Sequence, residues 1–340
     1  MNTYSLKIKG SSDVMVVRGL GKLTEVLPER RIIVITDHNI ERIYGEILSP
    51  YERIVIGEGE ENKNLTTVEA IYTQLIEMGA DRKTFLLGFG GGIVTDITGF
   101  VAASYMRGVD FGFVSTTLLS QVDAGVGGKN GVNLGGYKNM IGTFNQPRFV
   151  ICDVELLRTL NDREVRAGLA EVTKSAIIAD PALFEMLEGM SFCQFRGDEE
   201  LICRAIIASV TVKAAIVEMD EREAGERRKL NLGHTFAHAI EKLSREMIHG
   251  EAVAVGTIIA TNIARKLGLI SQVDADRIRA IHESLGFNLC SPVPIEELLK
   301  AICKDKKAEE GYIYMVLPTK IGDCEVRKMS FREVSEVCLG

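Results

Sequence analysis

The sequence contains no tryptophan, few histidines and no surplus of positive charge. Its 340 residues include 13 Phe and 8 Tyr, so aromatic burial rests on those two residue types. The formal net charge is −7, whereas a protein that binds nucleic acid usually shows a basic surplus or a basic stripe. The composition therefore argues against a nucleic-acid partner, but it leaves room for a local basic pocket that binds a small anion.

The chain also lacks paired cysteines, a signal sequence and a long apolar run. Its seven cysteines are scattered without a CxxC pair, which is typical of reduced thiols in a cytosolic protein. The N-terminal residues are polar and of mixed charge, without the apolar core of a signal peptide. The longest apolar stretches, such as EAVAVGTIIATNIA, are interrupted and too short to span a bilayer. We therefore expect a cytoplasmic protein with no membrane partner.

Hydrophobic periodicity divides the chain into two parts. Before residue 150, strand-like and helix-like segments alternate, which is typical of a parallel sheet covered on both faces. The strand-like segments are 31–37, 53–60, 83–92 and 111–119, and the helix-like ones are 66–80 and 93–106. After residue 150 long helical patterns dominate, and strand signals are few before 312–318. The sequence predicts an α/β fold, with a Rossmann-like parallel-sheet domain over 1–150 and a mainly α-helical domain over 151–340.

A glycine cluster marks the end of one predicted strand and the start of a helix. Gly90, Gly91 and Gly92 lie at this junction, and Asp96 follows one turn into the helix. Glycine lets backbone approach a phosphate closely, and a helix start presents free N–H groups. The spacing is not GxGxxG, so a phosphate site and a tight structural turn both stay open. Other polar residues near strand ends fit a nucleotide or, equally, a cap: Asp37, Asn39, Glu60, Lys63, Thr116 and Thr117.

A second glycine-rich segment, residues 123–142, carries two lysines and three asparagines. Such a composition is poor material for the interior of a helix or strand. It predicts a loop whose backbone amides, with Lys129, Lys138 and Asn139, converge on an anion. A flexible surface loop is the alternative.

Three of the five histidines fall within sixteen residues. His234 and His238 are four apart on one predicted helix face, and His249 begins the next helical pattern. Two or three imidazoles with a carboxylate make a catalytic site of the zinc type. Glu171 is the carboxylate candidate, because it interrupts a small or apolar helical face. The alternative is that these histidines are structural, with their hydrogen bonds made inside the helical region. His38 and His282 are expected at the surface.

Several motifs in order resemble the 3-dehydroquinate synthase family between residues 31 and 325: VSTTLLSQVDAGVGGKNGVN, KNMIG, GLAEVTKSAII, LNLGHTFAHAIE and HGEAVA. The resemblance implies a homodimer whose subunits bind NAD in the α/β domain and a divalent metal, zinc or cobalt, in the helical domain. It implies the metal ligands Glu171, His234 and His249. It implies the NAD-side residues Asp37, Asn39, Glu60, Lys63, Gly90, Gly91, Gly92, Asp96, Thr116 and Thr117.

The resemblance also assigns residues to a small anionic sugar-phosphate substrate. Those implied in catalysis are Asp123, Lys129, Lys174, Arg227, Asn231 and His238, the last beside the metal and not a ligand. Those implied in substrate binding are Lys138, Asn139, Lys213, one lysine of the KDKK run (Lys306 or Lys307), and Arg107 donated by the partner subunit. The implied enzyme is a carbon–oxygen lyase that converts 3-deoxy-D-arabino-heptulosonate 7-phosphate to 3-dehydroquinate and phosphate in the shikimate pathway of aromatic amino-acid biosynthesis.

Departures from the family pattern leave other products open. They occur at Ala124, Gly125, Asn130, Tyr137, Thr173, Ser175 and Ala237. Another sugar-phosphate cyclase, of the amino-dehydroquinate or inosose type, is one alternative. A metal-dependent polyol or glycerol dehydrogenase is a second, although it would not need the lysine-rich glycine segment. A non-catalytic sensor is a third, but it should have lost ligands or lysines.

Overall fold

The computed structural model of the chain describes residues 4–8, 12–305 and 311–340. The chain divides into two compact units, Met1–Asn161 and Asp162–Gly340. This division falls after the expected boundary at residue 150, because the strand Phe149–Asp153 pairs with two strands of the first unit. Lys306 and Lys307, from which one substrate contact was expected, lie outside the described residues.

The first unit alternates strands and helices over most of its length. Its elements are β1 (Tyr4–Ile8), β2 (Ser12–Val17), α1 (Leu23–Val26), β3 (Ile32–Asp37), α2 (His38–Leu48), β4 (Glu52–Ile56), α3 (Leu65–Glu77), β5 (Phe85–Gly90), α4 (Gly92–Ser104), β6 (Phe111–Ser115), β7 (Lys129–Leu134), β8 (Tyr137–Phe144) and β9 (Phe149–Asp153). Seven strands form one sheet in the order β1-β2-β9-β6-β5-β3-β4. All neighbours in it are parallel except β1 and β2. The expected parallel-sheet α/β architecture is confirmed.

The middle of the sheet is apolar because both of its faces are covered. Ile33, Val34 and Ile35 of β3 are each fully buried, as expected for strands in a doubly covered parallel sheet. The rings of Phe85 and Phe149 stack with centroids 5.7 Å apart, although β6 lies between their strands. Gly112 of β6 makes this possible, since a Cβ there would lie 2.7 Å from the Phe149 ring.

The glycine-rich segment forms a hairpin over most of its length, so the expected loop is wrong there. Strands β7 and β8 pair antiparallel, with Gly131 opposite Gly142. A Cβ on Gly131 would lie 2.7 Å from the carbonyl oxygen of Ile141, and one on Gly142 would lie 2.5 Å from that of Asn130. These glycines therefore permit two backbones to approach closely and do not serve loop flexibility.

The second unit is mainly helical. Its elements are α5 (Asp162–Ala179), α6 (Pro181–Leu187), α7 (Phe192–Gly197), α8 (Glu199–Met219), α9 (His234–Leu243), α10 (His249–Lys266), α11 (Gln272–Ser284), α12 (Ile295–Asp305), β10 (Tyr312–Lys320), β11 (Asp323–Ser330) and α13 (Phe331–Leu339). Strands β10 and β11 form an antiparallel hairpin. Among the described residues, no helix combines the length and the apolar character needed to cross a membrane.

Helix α10 packs against α5 and α9 at backbone distance. A Cβ on Gly250 would lie 2.1 Å from the carbonyl oxygen of Ala167 in α5. A Cβ on Gly256 would lie 2.1 Å from the carbonyl oxygen of Gly233, which precedes α9. No side chain fits at either point, so the two glycines set the spacing of the three helices.

His282 is buried, so the expectation that it lies at the surface is wrong. Its side chain in α11 is 1% exposed, with Nδ1 2.7 Å from the Ile278 carbonyl oxygen and Nε2 3.3 Å from the Thr173 hydroxyl. Burial lowers the pKa of His282 to about 4. The imidazole is therefore a neutral link between α11 and α5. His38, by contrast, is exposed as expected.

The buried His282 should make stability depend on pH. Its pKa is about 4 in the folded chain and near 6.5 when unfolded, so between these values only the unfolded state binds the proton. Stability contributed by this residue is complete above pH 6.5 and is lost as pH falls towards 4, by about 3 kcal/mol. His282→Gln should remove this pH-dependent component. Urea unfolding followed by circular dichroism at several pH values measures the free energy of unfolding. If this free energy changes equally with pH in the wild type and in His282→Gln, the assignment is contradicted.

Candidate functional site

Glu171, His234 and His249 converge in the second unit from three different helices. Nε2 of His234 and Nε2 of His249 each lie 3.6 Å from Oε1 of Glu171. One ligand atom from each residue lies within 4.8 Å of the others. One carboxylate oxygen and two imidazole nitrogens are donors that divalent zinc accepts. The three residues therefore fit a metal site by both chemistry and spacing.

The far side of each imidazole has an acceptor that fixes its orientation. Nδ1 of His234 donates to the carbonyl oxygen of Leu232 at 3.1 Å. Nδ1 of His249 lies 3.4 Å from Oε2 of Glu241. A histidine whose Nδ1 donates in this way presents Nε2 to a metal. Sequence reasoning missed Glu241, whose only signal was an acid two helical turns after His234 in HTFAHAIE.

The charge around Glu171 is balanced within the unit. Its side chain is 1% exposed and forms an ion pair with Lys174, which is 2% exposed. Burial, and then the Lys174 cation, lowers the pKa of His234 to about 3. Burial also acts to lower the pKa of His249, but hydrogen bonds to Glu171 and Glu241 outweigh it and raise the pKa to about 10. The pair of carboxylates thus attracts positive charge to the place where Nε2 of His249 meets Glu171.

His238 lies beside this group and outside the metal triad. Its ring centroid is 5.5 Å from that of His234 and 6.4 Å from that of His249. It stands one turn after His234 on α9. His238 therefore packs beside the rings of the two imidazoles that approach Glu171.

The expected substrate residues of the second unit include further buried cations. Lys213 on α8 is 7% exposed and Arg227 is 2% exposed. Arg227 and Asn231 belong to a short 3₁₀ helix, Glu226–Asn231, that packs with α8 and α5. Arg227 donates from Nη1 to the carbonyl oxygen of Glu221 at 2.5 Å, and Asn231 donates to the Glu223 carboxylate. Lys213 and Arg227 thus add two cationic side chains to the interior of an acidic chain.

In the first unit, the expected NAD-side residues follow the carboxyl ends of adjacent strands. Asp37 ends β3, Gly90 ends β5, and Thr116 follows β6, which stops at Ser115 and not at the expected residue 119. Glu60 follows β4 in a short 3₁₀ helix. Strand β4 lies on one side of β3, and the next strand in sequence, β5, lies on the other side. The strand order therefore reverses at β3. Ligands of open α/β sheets bind at such a switch point.

Side chains have little room at the glycine turn between β5 and α4. A Cβ on Gly90 would lie 2.6 Å from Val94, one on Gly91 3.0 Å from Thr117, and one on Gly92 3.1 Å from Ala124. The bare backbone at the start of α4 can therefore meet a phosphate group directly.

Asp37 makes a contact that matches the capping alternative, whereas Asn39 bonds to a side chain of its own helix. Asp37 accepts from the Ile40 N–H at 2.9 Å and so caps α2, and burial raises the pKa of its carboxyl. Asn39 accepts from Nη2 of Arg42 at 2.6 Å. The capping role of Asp37 does not conflict with a nucleotide at the same strand end.

Lys63 joins the nucleotide side to the hairpin. Its Nζ lies 2.5 Å from Oδ2 of Asp96 and 2.6 Å from Oδ1 of Asn139. Lys63 is buried, whereas Lys138 and Asn139 on β8 are exposed. Lys129 begins β7 and is also exposed, and Asp123 lies in a helical turn at Ser120–Ala124. The hairpin thus places Asn139, the neighbour of Lys138, against Lys63, a residue expected to bind NAD.

Comparison with known proteins gives the chain a family. Residues 53–167 match the model of the 3-dehydroquinate synthase N-terminal domain, and residues 168–308 match that of the C-terminal domain. The chain is 41% identical over 318 residues to the 3-dehydroquinate synthase of Nitrosospira multiformis, which covers 89% of this chain and 86% of that protein. It is 40% identical over 348 residues to the 3-dehydroquinate synthase of Geobacter metallireducens, and this match covers 98% of this chain and 96% of that protein.

A solved structure agrees with these relatives. The 2-epi-5-epi-valiolone synthase from Streptomyces hygroscopicus subsp. jinggangensis, with NAD⁺ and Zn²⁺ bound, has a TM-score of 0.88 at 29% identity. The match covers 100% of this chain and 98% of that one. By its sequence matches over both units, the chain belongs to the 3-dehydroquinate synthase family.

Proposed function

We propose that this chain converts 3-deoxy-D-arabino-heptulosonate 7-phosphate to 3-dehydroquinate and inorganic phosphate. The observation that carries the proposal is the convergence of Glu171, His234 and His249, in a chain 41% identical to a 3-dehydroquinate synthase. The enzyme is then a carbon–oxygen lyase of the shikimate pathway. It uses NAD as a catalytic cofactor and one divalent metal, zinc or cobalt. The NAD⁺ and Zn²⁺ in the valiolone synthase structure support both cofactors.

Each unit supplies one part of the chemistry. Glu171, His234 and His249 hold the metal, which when bound acts as a Lewis acid on a substrate hydroxyl. NAD, held by the strand-end residues of the first unit, would supply reversible hydride transfer at a substrate carbon, with no net oxidation. The carbonyl formed meanwhile makes the neighbouring C–H acidic, so phosphate leaves by β-elimination. A phosphate oxygen of the substrate serves as the base, and the ring then opens and closes by an intramolecular aldol step.

Cationic and amide side chains of both units bind the two anionic ends of the substrate. Lys174 and Asn231 hold the departing phosphate with Lys129 and Lys138. Arg227 and Lys213 bind the carboxylate, and Asn139 joins Lys138 of the hairpin in binding the phosphate. His238 moves a proton next to the metal triad, and Asp123 orients the substrate. Holding the chain of the substrate folded supplies the proximity that the aldol step needs.

Product stoichiometry tests the proposal. Purified metal-loaded protein with the heptulosonate phosphate and catalytic NAD⁺ should release one phosphate per substrate with no net NADH. Steady NADH formation from glycerol or another polyol would instead favour the dehydrogenase alternative. Absence of phosphate release from this substrate, with NAD and metal both bound, would contradict the assigned substrate.

Two histidines on one helix give a matched pair for the metal assignment. His234→Ala should weaken zinc binding beyond the roughly 10- to 100-fold typical of an outer-shell change, because a direct ligand is lost. His238→Ala should keep one zinc per chain while turnover falls. Zinc content after dialysis measures both, with circular dichroism as a control for folding. Stoichiometric zinc in His234→Ala, or its loss from His238→Ala, would reject this division of roles.

We also propose that the enzyme is a cytoplasmic homodimer in which Arg107 reaches the site of the partner subunit. Met106 and Arg107 both have positive φ, 50° and 69°, and strained backbone at residues other than glycine concentrates at functional sites. Both side chains are exposed in the single chain. The cysteines are thiols and not disulfides, which supports the cytoplasm.

Subunit mixing tests the donation of Arg107. Arg107→Ala and His234→Ala should each be inactive alone. In a mixed dimer one site carries both changes and the other carries neither, so random reassociation should restore about one quarter of wild-type activity. Activity that stays at the level of the separate variants, while mixed dimers are detected by mass spectrometry, would place Arg107 in its own subunit's site.

A further inference from the structure

Asn133 lies where β7 leaves its partner strand and contacts the loop after β4. The register of β7 with β8 shifts between Val132 and Leu134. At this irregularity the N–H of Asn133 donates to the carbonyl oxygen of Lys63 at 2.8 Å, and Asn133 forms a parallel bridge with Asn64. Irregularities of this kind recur beside active sites, where they redirect a strand. The backbone of Asn133 therefore ties the hairpin to the loop that carries Glu60 and Lys63.

The carboxamide of Asn133 bridges the same two segments. Its Nδ2 donates to Oε1 of Glu60 at 2.8 Å. Its Oδ1 accepts from the backbone N–H of Asn139 at 2.9 Å. Asn139 has a φ of 51°, in the left-handed region. One side chain thus uses its donor on the loop and its acceptor on a conformationally restricted residue of the hairpin.

Lys63 makes a second connection between these segments. Its Nζ contacts Oδ1 of Asn139 at 2.6 Å as well as Asp96 of α4. Asn139 is consequently held at its backbone by Asn133 and at its side chain by Lys63. A displacement of the loop after β4 would move both contacts at once.

We infer that Asn133 is a positioning residue that couples nucleotide binding to anion binding. The inference rests on the proposed function, which assigns Glu60 and Lys63 to NAD, and Lys138 and Asn139 to the anionic substrate. Neither comparison nor motif assigns a role to Asn133. When NAD engages the loop, the hydrogen bonds through Asn133 order Asn139 and its strand. The anion then meets a hairpin that is already ordered, so each ligand strengthens the binding of the other.

Linked titrations with inorganic phosphate as the anion probe test the coupling. Calorimetry gives the dissociation constant of phosphate with and without NAD, and of NAD with and without phosphate. In the wild-type protein each should tighten the other by the same factor, about fivefold or more. In Asn133→Ala this factor should fall to about one, and each separate affinity should weaken roughly three- to tenfold. Asn288→Ala, an exposed turn asparagine of the other unit, should leave all values unchanged.

Hydrogen exchange separates the bridge from a collapse of the hairpin. With NAD bound, the Asn139 amide should exchange slowly in the wild type and fast in Asn133→Ala. Asn133→Asp keeps an acceptor for this amide but cannot donate to Glu60, so it should keep slow exchange and still lose the coupling. A wild-type coupling factor of one, retained coupling in Asn133→Ala, or unchanged exchange there overturns the inference. Absent phosphate release from the heptulosonate with coupling intact would instead contradict the proposed function alone.

Discussion

The buried carboxylate of Glu171 is the constraint on which the helical unit depends. A carboxylate that is 1% exposed is costly unless cations and hydrogen-bond donors surround it. Lys174 supplies one cation from the same helix, and the imidazoles of His234 and His249 approach from two others. The three helices must therefore keep a fixed spacing, which Gly250 and Gly256 set by admitting backbone against backbone. The helix spacing that packs the unit is therefore also the spacing that brings Glu171, His234 and His249 together.

In the first unit, the proposed nucleotide site is formed mainly by backbone and strand ends. Its parallel sheet places the ends of four adjacent strands at one edge, and the strand order makes a switch point beside Gly90. Few side chains are needed there, because glycine backbone and a helix start can meet a phosphate. The polar network around Lys63 then joins this edge to the hairpin. Lys63 and Asn133 thus connect Glu60 and Asp96, which we propose for the nucleotide, with Asn139, which we propose for the anion.

Much of this arrangement could be predicted from the sequence, because it follows from periodicity and residue chemistry. Apolar strands alternating with helices predicted the parallel sheet, and an acid on an apolar helix face predicted that Glu171 needs partners. The hairpin could not be predicted in this way, since Gly131 and Gly142 serve close strand pairing that composition alone cannot distinguish from a loop. The burial of His282 was not predicted, because it depends on a contact with Thr173 of a helix distant in sequence. The role of Glu241 was not predicted, because it depends on how two successive helices pack.

The central claim is that one cation is bound by Glu171, His234 and His249. Anomalous diffraction at the zinc edge, from crystals grown with zinc, tests it most directly. The account predicts one peak per chain about 2.0–2.2 Å from Nε2 of both histidines and from a Glu171 oxygen. A peak on other residues, or three side chains that close on one another without an ion, would contradict it.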